Sequence, residues 1–268
     1  MEICDIHHHL GAFRGGCLID QDGWTDVDYD ARVAMMTHND INYVCLLAST
    51  GYLQADGIHA TRRSNDVLAE YQKRDPSRFP VAAGIVEPLH GAASLDEIDR
   101  IKHDLHLNGI VWHHRFQGVF LDDPLMRPIL HRMGDLDLVA FIHTNGESNI
   151  EAAWRLERLA QEFPDVSFVA MDAFGGGNSN SLMAIEIAKR NHNIVWDTSG
   201  LSKPDLVRRF VGQAGSEKLV LGKTYYSSPP SYWHNRTIDI IQDAGLDTAD
   251  LANIYHNNVR RIFNLGVA

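Results

Sequence analysis

Eight short, continuously apolar runs, separated by longer amphipathic stretches, recur from one end of this 268-residue chain to the other. They cover residues 2–7, 41–48, 80–86, 109–113, 138–143, 166–172, 193–197 and 218–222. Runs without polar alternation are what strands buried on both faces require, and parallel strands need crossovers, usually helical, between them. Eight βα units in this length make a single-domain (β/α)₈ barrel over residues 1–268 the expected architecture. An open doubly wound sheet is the alternative. It calls for a Gly-rich phosphate turn after strand 1, and His7-His8-His9 stands there instead.

Helix starts are readable between the runs. Ser94 to Glu97 and Ser148 to Glu151 have the spacing of a capping box. Asp123 before Pro124 places a cap ahead of a proline suited to the first helical position. No Pro/Gly/Ser linker or internal repeat divides the chain.

Side chains alternate across a strand, so His7 and His9 should project to one side and His8 to the other. Two imidazoles at the mouth of a parallel sheet are half of a divalent-metal site; a tag remnant or a structural histidine cluster are the plainer alternatives. Barrels of this kind place catalytic groups at the C-terminal strand ends. Those ends carry His7 and His9, His113-His114-Arg115, His143, Asp172, Asp197-Thr198-Ser199 and Lys223-Thr224. Polar groups gathered on one rim in this way point to an active site.

Lys+Arg 24 against Asp+Glu 35 gives a formal charge of -11, and no basic run occurs. That argues against nucleic acid or an anionic membrane surface as partner and leaves a small molecule. Cys4, Cys17 and Cys45 are an odd set, two of them in strand candidates, which fits reduced thiols in the cytoplasm. A first strand beginning at residue 2 leaves no room for a signal peptide. No apolar run reaches the ~20 residues needed to span a bilayer.

Five segments, taken in order, resemble the amidohydrolase superfamily. They are Asp5-Ile6-His7-His8-His9, Asn65 with Asp75-Pro76-Ser77-Arg78-Phe79, Phe141-Ile142-His143-Thr144, Asp197-Thr198-Ser199-Gly200, and Asn257-Asn258-Val259-Arg260-Arg261-Ile262-Phe263. The chain is similar in particular to the smaller "amidohydrolase 2" branch. That branch includes metal-dependent hydrolases and the non-oxidative decarboxylases related to aminocarboxymuconate semialdehyde decarboxylase. The resemblance implies one divalent ion held by His7, His9 and His143, the same three that the strand ends single out. Neutral imidazoles with an open fourth position suit Zn²⁺ first, with Mn²⁺ or Fe²⁺ as alternatives. Self-association, as in other barrels of the family, is implied by analogy.

Two positions depart from the family pattern. Its strand 8 usually ends in an aspartate that binds metal and takes a proton from water; here Thr224 occupies that place, after Lys223. Its strand 6 usually offers a histidine before glycines; here it is Asp172. Strand 4 brings His113 and His114 rather than a bridging lysine or glutamate, so one ion rather than two is expected.

Asp172 is the candidate proton shuttle, with Lys223 and Thr224 as altered catalytic neighbours. His113, His114, Arg115 and Tyr225 are candidate substrate contacts, as are Arg14, Trp24, Tyr226 and Trp233 in βα loops. Gly175-Gly176-Gly177 reads as a turn or a phosphate cradle. The leading functional expectation is a metal-dependent hydrolase of a carbonyl-type bond. Non-oxidative decarboxylation comes second, and a non-catalytic binding protein with a decayed metal site third.

Overall fold

The structure, a computed structural model, describes residues 1–12, 23–48, 54–175, 177–228 and 236–266. Arg14, Cys17, Gly176 and Trp233 lie outside the described residues.

The eight apolar runs become eight parallel strands: β1 (Cys4–His9), β2 (Tyr43–Leu47), β3 (Val81–Gly84), β4 (Gly109–Trp112), β5 (Val139–His143), β6 (Phe168–Met171), β7 (Ile194–Asp197) and β8 (Leu219–Val220). They hydrogen-bond in chain order. The stretch after β8 returns to β1. Ile6 N donates to Leu221 O, Tyr225 N to His7 O and His9 N to Tyr225 O, each at 2.9 Å. The fold is a (β/α)₈ barrel.

The principal helices of the outer layer are α1 (Trp24–His38), α2 (Ile58–Arg74), α3 (Ala92–His103), α4 (His114–Gln117), α5 (Met126–Asp135), α6 (Ala153–Glu162), α7 (Asn178–Arg190) and α8 (Pro204–Ala214). Every strand residue is buried, as the unbroken apolar runs require. Among the described residues, no helix is long and apolar enough to cross a membrane. Cys4 and Cys45 are buried free thiols.

Both expected capping boxes are corrected. Ser94 lies inside α3 and its Oγ donates to Glu87 O at 2.5 Å. Glu97 instead accepts from Asn65 and Arg100. Glu151 precedes α6 and turns its carboxylate inward, away from any cap. In both cases a buried polar partner holds the side chain. Asp123 does receive a backbone N–H, from Leu125 at 2.9 Å, but α5 begins one residue later still.

Several family-like segments hold the frame rather than the site. Asn65 accepts from Ile85 N at 2.7 Å and donates to Ile85 O at 2.9 Å, pinning the chain just after β3. Asn258 donates to Ser216 O and Leu219 O at 2.8 and 2.9 Å, fastening the C-terminal helices to β8.

Close strand approach demands glycine at position 109, where a Cβ would lie 2.4 Å from Val139 O. Gly109→Ala should therefore destabilise by about 1–3 kcal/mol, read as a lower thermal midpoint. Gly212→Ala, in α8 with no atom within 4 Å of the added Cβ, should leave stability unchanged or raise it by up to about 1 kcal/mol.

Candidate metal centre

The end of β1 carries His7-His8-His9, and the strand register divides the three. His7 Nε2 and His9 Nε2 stand 3.1 Å apart, and His9 Nε2 is 3.2 Å from His143 Nε2 at the end of β5. All three rings are buried. His8 turns the other way, bonding Asp5 Oδ2 at 2.9 Å and accepting from Arg32 Nη1 at 3.1 Å.

The outer nitrogens fix the tautomers. His9 Nδ1 faces Ala48 O at 3.1 Å and His143 Nδ1 faces Trp112 O at 2.8 Å. A carbonyl only accepts, so both Nδ1 atoms carry the proton and both Nε2 atoms present lone pairs. His7 Nδ1 donates to the buried Asp197 Oδ2 at 2.7 Å, which leaves its Nε2 in the same state. With all three rings neutral, three lone pairs thus face one another with no donor between them. A cation relieves that repulsion, and the outer oxygens complete the shell that metal-bound imidazoles ordinarily have.

The spacing agrees. Two ligand atoms about 2.0–2.1 Å from a tetrahedral ion lie about 3.4 Å apart, close to the 3.1 and 3.2 Å seen here. His7, His9 and His143 form a buried group with metal-holding geometry. Burial, reinforced by the neighbouring rings, keeps His9 and His143 well below the ordinary histidine range, so both are neutral at neutral pH. Burial presses His7 the same way, but its hydrogen bond to Asp197 and the charges of Asp172 and Asp197 outweigh that and raise it.

Asp172 enters from the end of β6. Its Oδ2 is 4.0 Å from His143 Nε2, and its Oδ1 accepts from Thr224 Oγ1 at 3.1 Å. Burial works against its charge, yet His7 and His143 prevail and hold the carboxyl at about 2. Its backbone N–H is clamped by Asp197 Oδ1 and Ser199 Oγ at 3.1 and 2.9 Å. Asp172 and Thr224 both have left-handed backbones, with φ 60° and 54°. For a β-branched threonine that is an outlier, of a kind that concentrates at functional sites.

On the other flank, His113 lies flat against His143, ring centres 4.2 Å apart and planes 6° from parallel. His113 Nδ1 bonds Glu151 Oε1 at 2.6 Å, while Arg115 Nη2 donates to His113 Nε2 at 3.3 Å. Arg115 N also donates to Glu151 Oε1, at 3.0 Å. Burial pushes the Glu151 carboxyl up to about 7. Sequence reading assigned Glu151 to a helix cap; its spacing from the His113 strand end carries no signal of this contact.

The other expected site residues stand elsewhere. Lys223 Nζ donates to Asn39 Oδ1 at 2.9 Å, after α1, while Thr224 takes the inward register. Tyr225 stacks on His8 at 4.8 Å beneath the Arg32 guanidinium; its neighbour Tyr226 stacks on His9 at 4.7 Å. His114 is buried along the Trp112 ring, and its ring nitrogens make no hydrogen bond among the described residues. Lys223, expected as a catalytic neighbour, and His114 and Tyr225, expected as substrate contacts, are thus not brought to the three imidazoles. In each case the side chain on the far face of its strand end lost its way to the mouth.

With the geometry in place, the match to known proteins is direct. Residues 4–265 fit the family model described as amidohydrolase. The chain belongs to the amidohydrolase family. No match to a curated protein was found by sequence. Three similar solved structures are decarboxylases. One is 2,6-dihydroxybenzoate decarboxylase from Rhizobium, 21% identical, with TM-score 0.77 and 99% of each chain covered. Another is 5-carboxyvanillate decarboxylase from Sphingomonas paucimobilis, 18% identical, with TM-score 0.72 and 99% of each chain covered. The third is dihydroxybenzoic acid decarboxylase from Polaromonas sp. JS666 with bound manganese and 2-nitroresorcinol. It is 17% identical, with TM-score 0.76, covering 100% of this chain and 98% of that one. At these identities the likeness establishes the fold.

Asp197 acts on the site through His7, and a Cβ on Gly222 would lie 2.5 Å from its Oδ2. Asp197→Asn should weaken Zn²⁺ affinity by about 10–100-fold in chelator competition, while Lys223→Met leaves it unchanged.

Proposed function

We propose that this protein is a metal-dependent, non-oxidative decarboxylase of a small carboxylate substrate, with the ion on His7, His9 and His143. The observation that carries the reading is an arginine, Arg115, beside the three imidazoles. Arg115 reaches the ring of His113, which itself lies on His143. Three neutral imidazoles would leave a divalent ion with net positive charge even beside the ionised Asp172, so with Arg115 this flank of the mouth favours an anion. The decarboxylases among similar structures support this over the hydrolase that the motifs alone suggested, and manganese in one of them makes Mn²⁺ as suitable as Zn²⁺.

Bound at the three Nε2 atoms, a divalent ion would supply a Lewis acid that grips a carboxylate or adjacent oxygen. Arg115 would orient the anionic end of the substrate, and Tyr226, stacked on His9, would wall its flat face. In the reaction the bond between carbon and carboxylate breaks, CO₂ leaves, and the electron pair stays on carbon until a proton arrives. Glu151 is the group raised to about 7, so a proton shared between its Oε1 and His113 Nδ1 is available at neutral pH. His113 Nε2 would deliver the equivalent proton to carbon once Arg115 has swung to the substrate. Asp172, held ionised, is the carboxylate that would stand beside such an ion.

Hydrolysis is the second reading, favoured by that same ionised carboxylate, which could take a proton from water. Mn²⁺-loaded protein given 2,6-dihydroxybenzoate and related hydroxylated aromatic carboxylates in D₂O separates the two. The account expects CO₂ and one deuterium at the vacated carbon; oxygen from labelled water in the product would instead establish hydrolysis. Because Glu151 is protonated below about 7 and ionised above it, kcat/KM should decline as pH rises through that value. Glu151→Gln should abolish this limb and lower the rate by about 10²–10⁴-fold.

A further inference from the structure

We infer that Asp172 is the fourth protein ligand of the ion, so that the site is three imidazoles and one carboxylate, the carboxylate supplied by β6. This rests on the metal reading and adds to it.

Four observations lead there. Asp172 brings a carboxylate beside the three Nε2 lone pairs, its Oδ2 4.0 Å from His143 Nε2. Ligand atoms of one tetrahedral ion lie about 3.4 Å apart, and Asp172 stands outside the compact group of the three imidazoles, so ligation requires the carboxylate to make an inward shift. With a third of its side chain exposed, Asp172 has the room to make it.

Second, the carboxylate is aimed from behind. Thr224 Oγ1 donates to Oδ1, and the Asp172 amide is clamped by Asp197 and Ser199. These bonds hold the residue at φ 60°, a conformation that costs free energy and is kept only where the surroundings enforce it. Oδ1 is thereby engaged by Thr224, and Oδ2 is the oxygen that approaches His143.

Third, Asp197 cannot serve instead. Its Oδ2 accepts from His7 Nδ1, on the far side of that ring, and its Oδ1 accepts from Ser199 Oγ at 2.5 Å. Asp197 acts through His7 Nδ1, whereas Asp172 Oδ2 approaches the Nε2 side of the His143 ring. Fourth, the end of β8 brings only the Thr224 hydroxyl, a poor ligand at neutral pH, and spends it on Asp172. The ligand set then carries one negative charge, and the bound ion a net charge of one.

The test is metal affinity and the visible spectrum of the Co²⁺-loaded protein, measured for the parent, Asp172→Asn, Asp172→Ala and Thr224→Val. Asn tolerates the left-handed backbone as Asp does, so Asp172→Asn should fold; circular dichroism and thermal melting confirm it. If Asp172 is a ligand, Asp172→Asn and Asp172→Ala weaken Zn²⁺ and Mn²⁺ binding by about 100-fold or more, beyond the loss of an outer partner. The Co²⁺ bands of those two variants also shift and change intensity. Thr224→Val, which leaves the carboxylate in place, gives a smaller loss and keeps the parent's band pattern. Tight binding with an unchanged Co²⁺ spectrum in both Asp172 variants overturns this inference and leaves the three-histidine site standing. A parent that binds no ion overturns both.

Discussion

Everything at the mouth of this barrel follows from how three imidazoles are turned. Each of His7, His9 and His143 is tied by its Nδ1 to an oxygen behind it: Asp197, Ala48 or Trp112. Those oxygens sit on β7, just after β2 and on β4. Residues on or just after three other strands therefore set the direction of rings that grow from β1 and β5. Closing the sheet brings the Nε2 atoms together, and the bonds behind the rings decide that lone pairs, not protons, meet there.

Behind this layer a second polar network holds β1 in register. Arg32, fully buried in α1, donates to His9 O at 2.9 Å and to His8 Nδ1 at 3.1 Å. Asp28 receives Arg32, Tyr71 and the Gly11 amide. A buried guanidinium is tolerable only when paired and hydrogen-bonded in this way. Asp5 links the same strand to His8 and to the Lys223 amide, joining β1 to the end of β8 where the sheet closes. His8 thus belongs to the frame, while its two neighbours in sequence belong to the site.

The fold and the three imidazoles were legible in the sequence because both rest on local periodicity. Unbroken apolar runs state burial on two faces, and alternation along β1 separates His7 and His9 from His8. What stayed hidden depends on contacts across the barrel. Glu151 looks like a capping residue until the chain is folded and its carboxylate meets His113 Nδ1, 38 positions away. Arg32 and Asp28 look like an ordinary i,i+4 pair on a helix surface, yet both are buried. The end of β8 offers Lys223, Thr224, Tyr225 and Tyr226 together as candidates, and backbone pairing of Tyr225 with His7 and His9 separates them, sending Thr224 and Tyr226 inward.

The central claim is that the three imidazoles hold an ion, and elemental mass spectrometry on tag-free protein tests it most directly. The account predicts close to one equivalent of a divalent transition metal in the parent and none in a His7→Ala/His9→Ala double variant that remains folded. A parent that stays empty after reconstitution with Zn²⁺, Mn²⁺ and Fe²⁺ would contradict it.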